Sequence, residues 1–325
     1  MTLVYASVAI LTGFAAVVWG ADRFVYGAAG IATNLGVGRL VIGLTIVAFG
    51  TSAPEMLVSG MAAWAGSPQM GVGNAIGSNI TNTTLVLGAA ALVRPLRVNS
   101  RLLIRELPVL VVIMCAAWFF LRDDTLTRLE GVLLLAGMVA LMTWIGIQGR
   151  AHSKESADPL PAALDEELPE AMPTWRGVAL FFVGLLFLLG GSRVLVWGAV
   201  QAAQSVGVSE LVIGLTVVAL GTSLPELAAS VAAARRNEQD IAVGNVVGSN
   251  MFNLTGVLGL PGVIAPGAPV DHALVTRDFP IMFGVTALLI AMALTGRESH
   301  IGTRRGALLV LVFGAYFVML FASPT

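Results

Sequence analysis

Ten apolar runs recur through almost the whole of this chain, each long enough for a helix to cross a bilayer. A hydrocarbon core of about 30 Å takes roughly 20 helical residues. Lipid offers the backbone no hydrogen bonds, so such a run must satisfy its own amides within a helix. The runs fall at 3–22, 40–64, 70–93, 102–121 and 127–148, then at 176–200, 211–234, 241–265, 275–295 and 304–322. Composition agrees, because 57% hydrophobic residues, 11% charged residues and a mean hydropathy of +0.87 exclude an ordinary soluble domain. The expected class is an all-α polytopic membrane protein with ten transmembrane helices. The first run has neither a basic stretch before it nor a small-residue cleavage site after it, so it reads as a retained helix.

Halfway along, the chain repeats itself. LVIGLTIVAFGTSAPE at Leu40–Glu55 returns as LVIGLTVVALGTSLPE at Leu211–Glu226, and the match continues without a gap from 40–88 onto 211–259, with more than half of the positions identical. Weaker matches reach back to Gly20 and Gly191. Each half carries five runs, an odd number, so the second half must enter the membrane inverted relative to the first. The expected organisation is a first five-helix repeat at 1–148, a linker at 149–175 and a second, inverted repeat at 176–325. Folds of this kind place their substrate near the bilayer midplane, on helices that are interrupted there.

Sidedness follows from the 18 basic residues, since short cytoplasmic loops collect Lys and Arg. Thirteen of them fall after runs 1, 3, 5, 7 and 9: Arg39, Arg94, Arg97, Arg101, Arg105, Arg150, Lys154, Arg176, Arg235, Arg236, Arg297, Arg304 and Arg305. The opposite loops hold only Arg122, Arg128 and Arg277. Both termini are therefore expected outside the cytoplasm and the 149–175 linker inside it, in a cell membrane. That linker has Pro159, Pro161, Pro169 and Pro173 beside Asp165, Glu166, Glu167 and Glu170. It lacks EF-hand spacing and reads as solvated. The net charge of -1 gives no reason to expect nucleic acid, and nothing points to an obligatory protein partner or a cofactor. The lone Cys115 lies mid-run and is expected to be a packed apolar thiol.

Glu55 and Glu226 are the only two of 19 acidic residues near the centre of a run. A carboxylate at membrane depth is costly unless a cation meets it, which makes the pair a candidate ion site. Each ends a Gly-Thr-Ser-x-Pro-Glu stretch: Gly50, Thr51, Ser52, Pro54 and Glu55, mated by Gly221, Thr222, Ser223, Pro225 and Glu226. Proline donates no hydrogen bond to the carbonyl four residues back and opens the turn, so Pro54 and Pro225 are expected to break their helices. The freed carbonyls, hydroxyls and carboxylate would make an all-oxygen cluster suited to Ca²⁺ or Na⁺. Eighteen residues beyond each glutamate begins a second motif, GNAIGSNITN at Gly73–Asn82 and GNVVGSNMFN at Gly244–Asn253. Its glycines allow close helix packing. Packing does not account for Asn74, Ser78, Asn79 and Asn82, nor for Asn245, Ser249, Asn250 and Asn253, whose neutral oxygens can meet a cation without adding charge.

These paired segments resemble the α-repeats of the calcium/cation antiporter superfamily, and most of all its prokaryotic sodium/calcium exchangers. The resemblance implies ten helices, with helices 2, 3, 7 and 8 as the ion-binding core and helices 1 and 6 sliding against it. It implies a central calcium site from Glu55, Glu226, Thr51 and Thr222. Sodium sites would draw on the Ala48 carbonyl with Ser52 and Ser78, and on the Ala219 carbonyl with Ser223 and Ser249, sharing both glutamates. Asn82 and Asn253 would line the centre, where some relatives carry aspartate in place of Asn253.

The function expected is antiport of Na⁺ for Ca²⁺ by alternating access, ordinarily exporting calcium and not an enzyme. Coulomb repulsion and desolvation make an empty, doubly negative site expensive, so the vacant protein is expected not to reorient. If three Na⁺ exchange for one Ca²⁺, one net charge moves and the potential contributes roughly 2.3 kcal/mol per 100 mV. The alternative is a calcium/proton exchanger, whose relatives usually carry an acid in a GNxxE pattern that Asn74 and Asn245 lack. An aspartyl-type membrane protease would need two aspartates, one of them in a GxGD segment, which the repeats do not contain.

Overall fold

The computed structural model describes residues 2–98, 102–155, 172–205, 219–295 and 300–322. The helices are α1 (Thr2–Leu35), α2 (Arg39–Trp64), α3 (Pro68–Val93), α4 (Ile104–Leu121), α5 (Arg128–Glu155) and α6 (Thr174–Ser205). They continue with α7 (a turn Ala219–Thr222 and the helix Leu224–Arg235), α8 (Gln239–Ile264), α9 (Leu274–Thr295) and α10 (Thr303–Ala322). Nine of them, all but α7, are long and apolar enough to cross a membrane among the described residues. The expected 211–234 run is described only from Ala219, and 156–171 of the expected linker also lie outside the described residues.

Three helices overrun their expected bounds, α5 by continuing past 148 to Glu155, and α1 and α6 at greater total length. α1 has 34 residues where 3–22 was expected, and α6 has 32. At 1.5 Å per residue each is about 50 Å long, well beyond a hydrocarbon core, which a tilt accommodates. Asp22 and Arg23 end the apolar run but not the helix, because the Ala-rich stretch that follows keeps helical propensity. α1 and α6 lie antiparallel along a glycine seam. Gly13 meets the backbone at Gly191 and Leu195, Gly20 meets Gly184 and Leu188, and Gly27 meets Gly177 and Phe181. A Cβ on Gly20 would sit 2.5 Å from the Leu188 amide nitrogen, so only glycine permits this approach.

At the centre is α8. Its most apolar window is wholly buried inside the protein, against α2, α7 and the start of α3's wide turn. α2 packs on α3 and α7 on α8, each pair joined by the same tight cap. Ser67 N–H donates to Ala62 O (2.8 Å) and Gly66 N–H to Ala63 O (3.2 Å), with Gly66 at φ +84°. At the repeat mates, Glu238 N–H donates to Ala233 O (2.8 Å) and Asn237 N–H to Ala234 O (3.2 Å), with Asn237 at φ +62°. Both are Schellman motifs, for which glycine and asparagine are the residues that tolerate a left-handed backbone. Just past the second cap, burial lifts the Glu238 carboxyl above its ordinary range, and Arg39, 3.1 Å away, opposes the shift.

Two details depart from an all-helical, internally packed expectation. A two-stranded antiparallel ribbon pairs β1 (Leu96–Arg97) with β2 (His300–Ile301). Pro95 forces the preceding Arg94 into extended backbone (φ -154°, ψ 135°), which ends α3 and starts the strand. Cys115 is exposed rather than packed. α4 is apolar on all sides, so its outer face, thiol included, meets lipid tails.

Candidate ion-binding site

Both glutamates are fully buried, Glu55 on α2 and Glu226 in the first turn of Leu224–Arg235 on α7. Ser52 of α2 donates to Glu226 Oε1 at 3.2 Å, tying the two copies of the motif together. Both Glu55 oxygens and Glu226 Oε2 lack a hydrogen-bond partner among the described residues. Two like charges 4 Å apart repel by about 4 kcal/mol even at an effective dielectric of 20, and burial adds desolvation. A cation between them removes both costs.

The prolines act differently in the two copies. Chain direction is unbroken through Pro54, which lies inside the continuous helix Ala48–Trp64, so it is not the break that its residue type suggests. It leaves the Gly50 carbonyl without its usual amide partner. Before Pro225 the helix does break: Ser223 is a turn (φ -91°, ψ 4°), and Pro225 occupies the first turn of the helix that restarts there, where its missing N–H costs nothing.

Thr51 and Thr222 are oriented by the opposite repeat. Thr51 Oγ1 donates to Asn245 Oδ1 at 3.1 Å, lies 3.2 Å from Ala48 O and is 3.4 Å from Ser249 Oγ. Thr222 Oγ1 donates to Asn74 Oδ1 at 3.3 Å, the same bond made by the repeat mates. Asn245 is itself held by Ser230 Oγ (2.9 Å) and reaches the Glu226 carbonyl (3.4 Å). Asn74 and Asn245, read from sequence as neutral ion ligands, therefore spend their oxygens on aiming the threonines.

The serines also reach across the repeats. Ser249 donates to the Ala48 carbonyl at 3.5 Å. Because α8 packs against α2, the second motif of one repeat meets the first motif of the other. Ser78 is buried on α3, Ser223 is buried at the α7 break, and Ala219 opens the turn before it. Asn82 and Asn253 are fully buried, and neither amide has a hydrogen-bond partner among the described residues. Each begins a π-helical turn, Asn82–Val86 and Asn253–Val257. Such wide turns recur at functional sites. Asn79 reaches Met282 Sδ (3.5 Å) and Asn250 reaches Thr83 Oγ1 (2.9 Å) through their amide nitrogens, while the Oδ1 atoms of both are buried without a hydrogen-bond partner among the described residues.

A partly open cavity of about 490 Å³ lies between α2, α6 and α7 and reaches Pro54, Pro225 and Thr222. Buried acids outside the motifs were missed by looking only at the centres of runs. Glu106 and Asp278 are 0% and 1% exposed, and Asp278 accepts from Arg277 (2.9 Å) and the Tyr316 hydroxyl (3.2 Å). Their signal was present as Arg105-Glu-Leu-Pro and Arg277-Asp-Phe-Pro, a second duplication in the chain.

Comparison with known proteins agrees with this geometry. The sodium/calcium exchanger protein family matches residues 5–146 and 176–322. The chain is 45% identical to the putative antiporter CaxA of Alkalimonas amylolytica, over 99% of this chain and 100% of that one. It is 37% identical to the inner membrane protein YrbG of Escherichia coli, over 98% of each. Identity to the sodium/calcium exchanger MaX1 of Methanosarcina acetivorans is 30%, over 96% and 97%. Among solved structures, the sodium-calcium exchanger NCX_Mj soaked with Na⁺ and Sr²⁺ superposes with a TM-score of 0.82 at 31% identity, covering 99% of both chains. With fold, motif geometry and whole-length likeness in agreement, this multi-pass membrane protein belongs to the sodium/calcium exchanger family of the calcium/cation antiporter superfamily.

Proposed function

We propose that this protein exchanges Na⁺ for Ca²⁺ across a cell membrane by alternating access, with calcium export as its ordinary direction. The observation that carries the reading is the pair of buried carboxylates, Glu55 and Glu226, brought together from two helices with three of their four oxygens unpartnered among the described residues. Ca²⁺ takes 6–8 oxygens, and the cluster offers only two carboxylates, with hydroxyl, carbonyl and amide oxygens around them. That donor set matches the cations named for its relatives, and the described residues include no cluster of three or more His, Cys, Asp or Glu that could hold a resident metal.

In this reading Ca²⁺ sits between Glu55 and Glu226 with Thr51 and Thr222. Na⁺ uses Ser52, Ser78 and the Ala48 carbonyl on one flank, and Ser223, Ser249 and the Ala219 carbonyl on the other. Asn82 and Asn253 line the centre. The chain is a transporter with no enzymatic step and no cofactor, and its partners are the two ions and the bilayer. Ten helices form two inverted repeats, 1–148 and 176–325, around the linker. The duplicated Schellman caps, the paired π-helical turns and the mated Thr–Asn bonds support that symmetry. Both termini face outward, following the distribution of basic residues.

The test is ⁴⁵Ca²⁺ uptake into proteoliposomes at clamped pH. Uptake driven by an outward Na⁺ gradient is expected. Uptake driven by a proton gradient alone, without Na⁺, would replace this reading with calcium/proton exchange.

A further inference from the structure

The duplication makes α1 the mate of α6 and α7 the mate of α2, yet the two mated contacts are unlike. α1 packs along α7, whereas α6 stands off α2 and leaves the 490 Å³ cavity between them. Residues lining that cavity include Val58 and Met61, and Met61 is 66% exposed. Their mates on the opposite side, Ala229 and Ala232, are 1% and 9% exposed. One side of the molecule is open where the other is shut.

Among the described residues, an ion pair sits on the shut side alone. Arg236, at the end of α7, grips Asp22 of α1 with both arms of its guanidinium, Nε to Oδ1 at 2.7 Å and a terminal nitrogen to Oδ2 at 2.6 Å. The same guanidinium stacks over the Tyr26 ring, 4.7 Å from its centroid and one turn further along α1. Bidentate geometry and an aromatic face make this stronger than an ordinary exposed pair. On the open side the repeat places Arg193 where Asp22 would be, Trp197 where Tyr26 would be and Ala65 where Arg236 would be. Ala65 carries no charge for Arg193 to grip.

We propose that Asp22, Tyr26 and Arg236 form a latch that holds α1 on α7 and keeps that end of the ion pathway closed, biasing the protein toward the conformation open at the α2–α6 cavity. The latch fastens α1 to α7 at one point. The inference rests on the alternating-access reading, but its test measures shape and not transport. Its failure would leave sodium/calcium exchange standing.

In a Cys115→Ala background, single cysteines at Met61 and at its mate Ala232 are labelled with a membrane-impermeant maleimide in detergent, in Na⁺- and Ca²⁺-free buffer. With the latch intact, Met61→Cys reacts and Ala232→Cys is protected. Adding Asp22→Asn is expected to raise the Ala232→Cys rate about fivefold, the upper end for a partly exposed pair, and to slow Met61→Cys. The charge swap of Asp22→Arg with Arg236→Asp is expected to restore protection. Unchanged labelling in Asp22→Asn and Arg236→Gln overturns the proposal. So does failure of both single variants and the swap to fold, since a latch is dispensable for folding.

Discussion

The ion cluster and the α1–α6 seam are both tight helix contacts in one membrane protein, and they are made of opposite materials. Across the cluster, α2 is pinned to α8 and to α7 by directional bonds, Thr51 to Asn245 at 3.1 Å and Ser52 to Glu226 at 3.2 Å. Along the seam, Gly13, Gly20 and Gly27 meet Gly191, Gly184 and Gly177 backbone to backbone, with no side-chain hydrogen bond joining α1 to α6 among the described residues. Directional bonds fix a geometry to tenths of an ångström, whereas a run of glycines sets a distance and leaves position along the axis free. The first suits coordination and the second suits movement.

The largest effect expected from breaking the cluster comes from its charge. Glu55→Gln and Glu226→Gln should each lower Na⁺-driven ⁴⁵Ca²⁺ flux by about 100-fold or more, since a divalent cation then meets half its countercharge in a low dielectric. Both variants should stay folded by gel filtration, because removing a buried negative charge also removes a desolvation cost. Breaking the seam should reverse the pattern and cost stability first. Gly20→Ala drives a methyl group into the Leu188 backbone and should destabilise the protein by about 1–3 kcal/mol, read as a lower Tm in detergent.

Intermediate losses are expected where a bond aims a ligand without being one. Asn245→Ala and Asn74→Ala should weaken apparent Ca²⁺ affinity about tenfold, near 1.4 kcal/mol, by freeing the Thr51 and Thr222 hydroxyls. Equal losses from the two would sharpen the symmetry, and a loss confined to one would break it. Ser249→Ala should raise the Na⁺ concentration for half-maximal exchange by a few-fold, about one hydrogen bond's worth, with little change for Ca²⁺. Cys115→Ala, on the lipid-facing surface of α4, should change neither flux nor Tm measurably.

The cluster was far more legible in sequence than the seam. Glu55 and Glu226 stand out because ionisable residues are rare at membrane depth, and duplication then marks every neighbour twice. The bonds between the repeats were not legible. Ser78 and Ser249 are equivalent in a repeat, and only the packing of α8 on α2 brings the Ser249 hydroxyl to Ala48. Helix length was also hidden in α1, where Asp22 and Arg23 end the apolar run while the helix continues to Leu35. Asp22 looked like a span's edge and proved to be Arg236's partner, a contact between residues 214 positions apart that no local pattern announces. Cys115 was misplaced for a related reason: hydropathy does not distinguish a face turned to protein from one turned to lipid.

Calorimetric titration of purified protein with Ca²⁺, in Na⁺-free buffer and again in Na⁺, tests the carboxylate pair most directly. Saturable Ca²⁺ binding that Na⁺ displaces, and that disappears in the Glu55→Gln, Glu226→Gln double variant, is the expected result. Undiminished Ca²⁺ binding by that double variant would contradict the account.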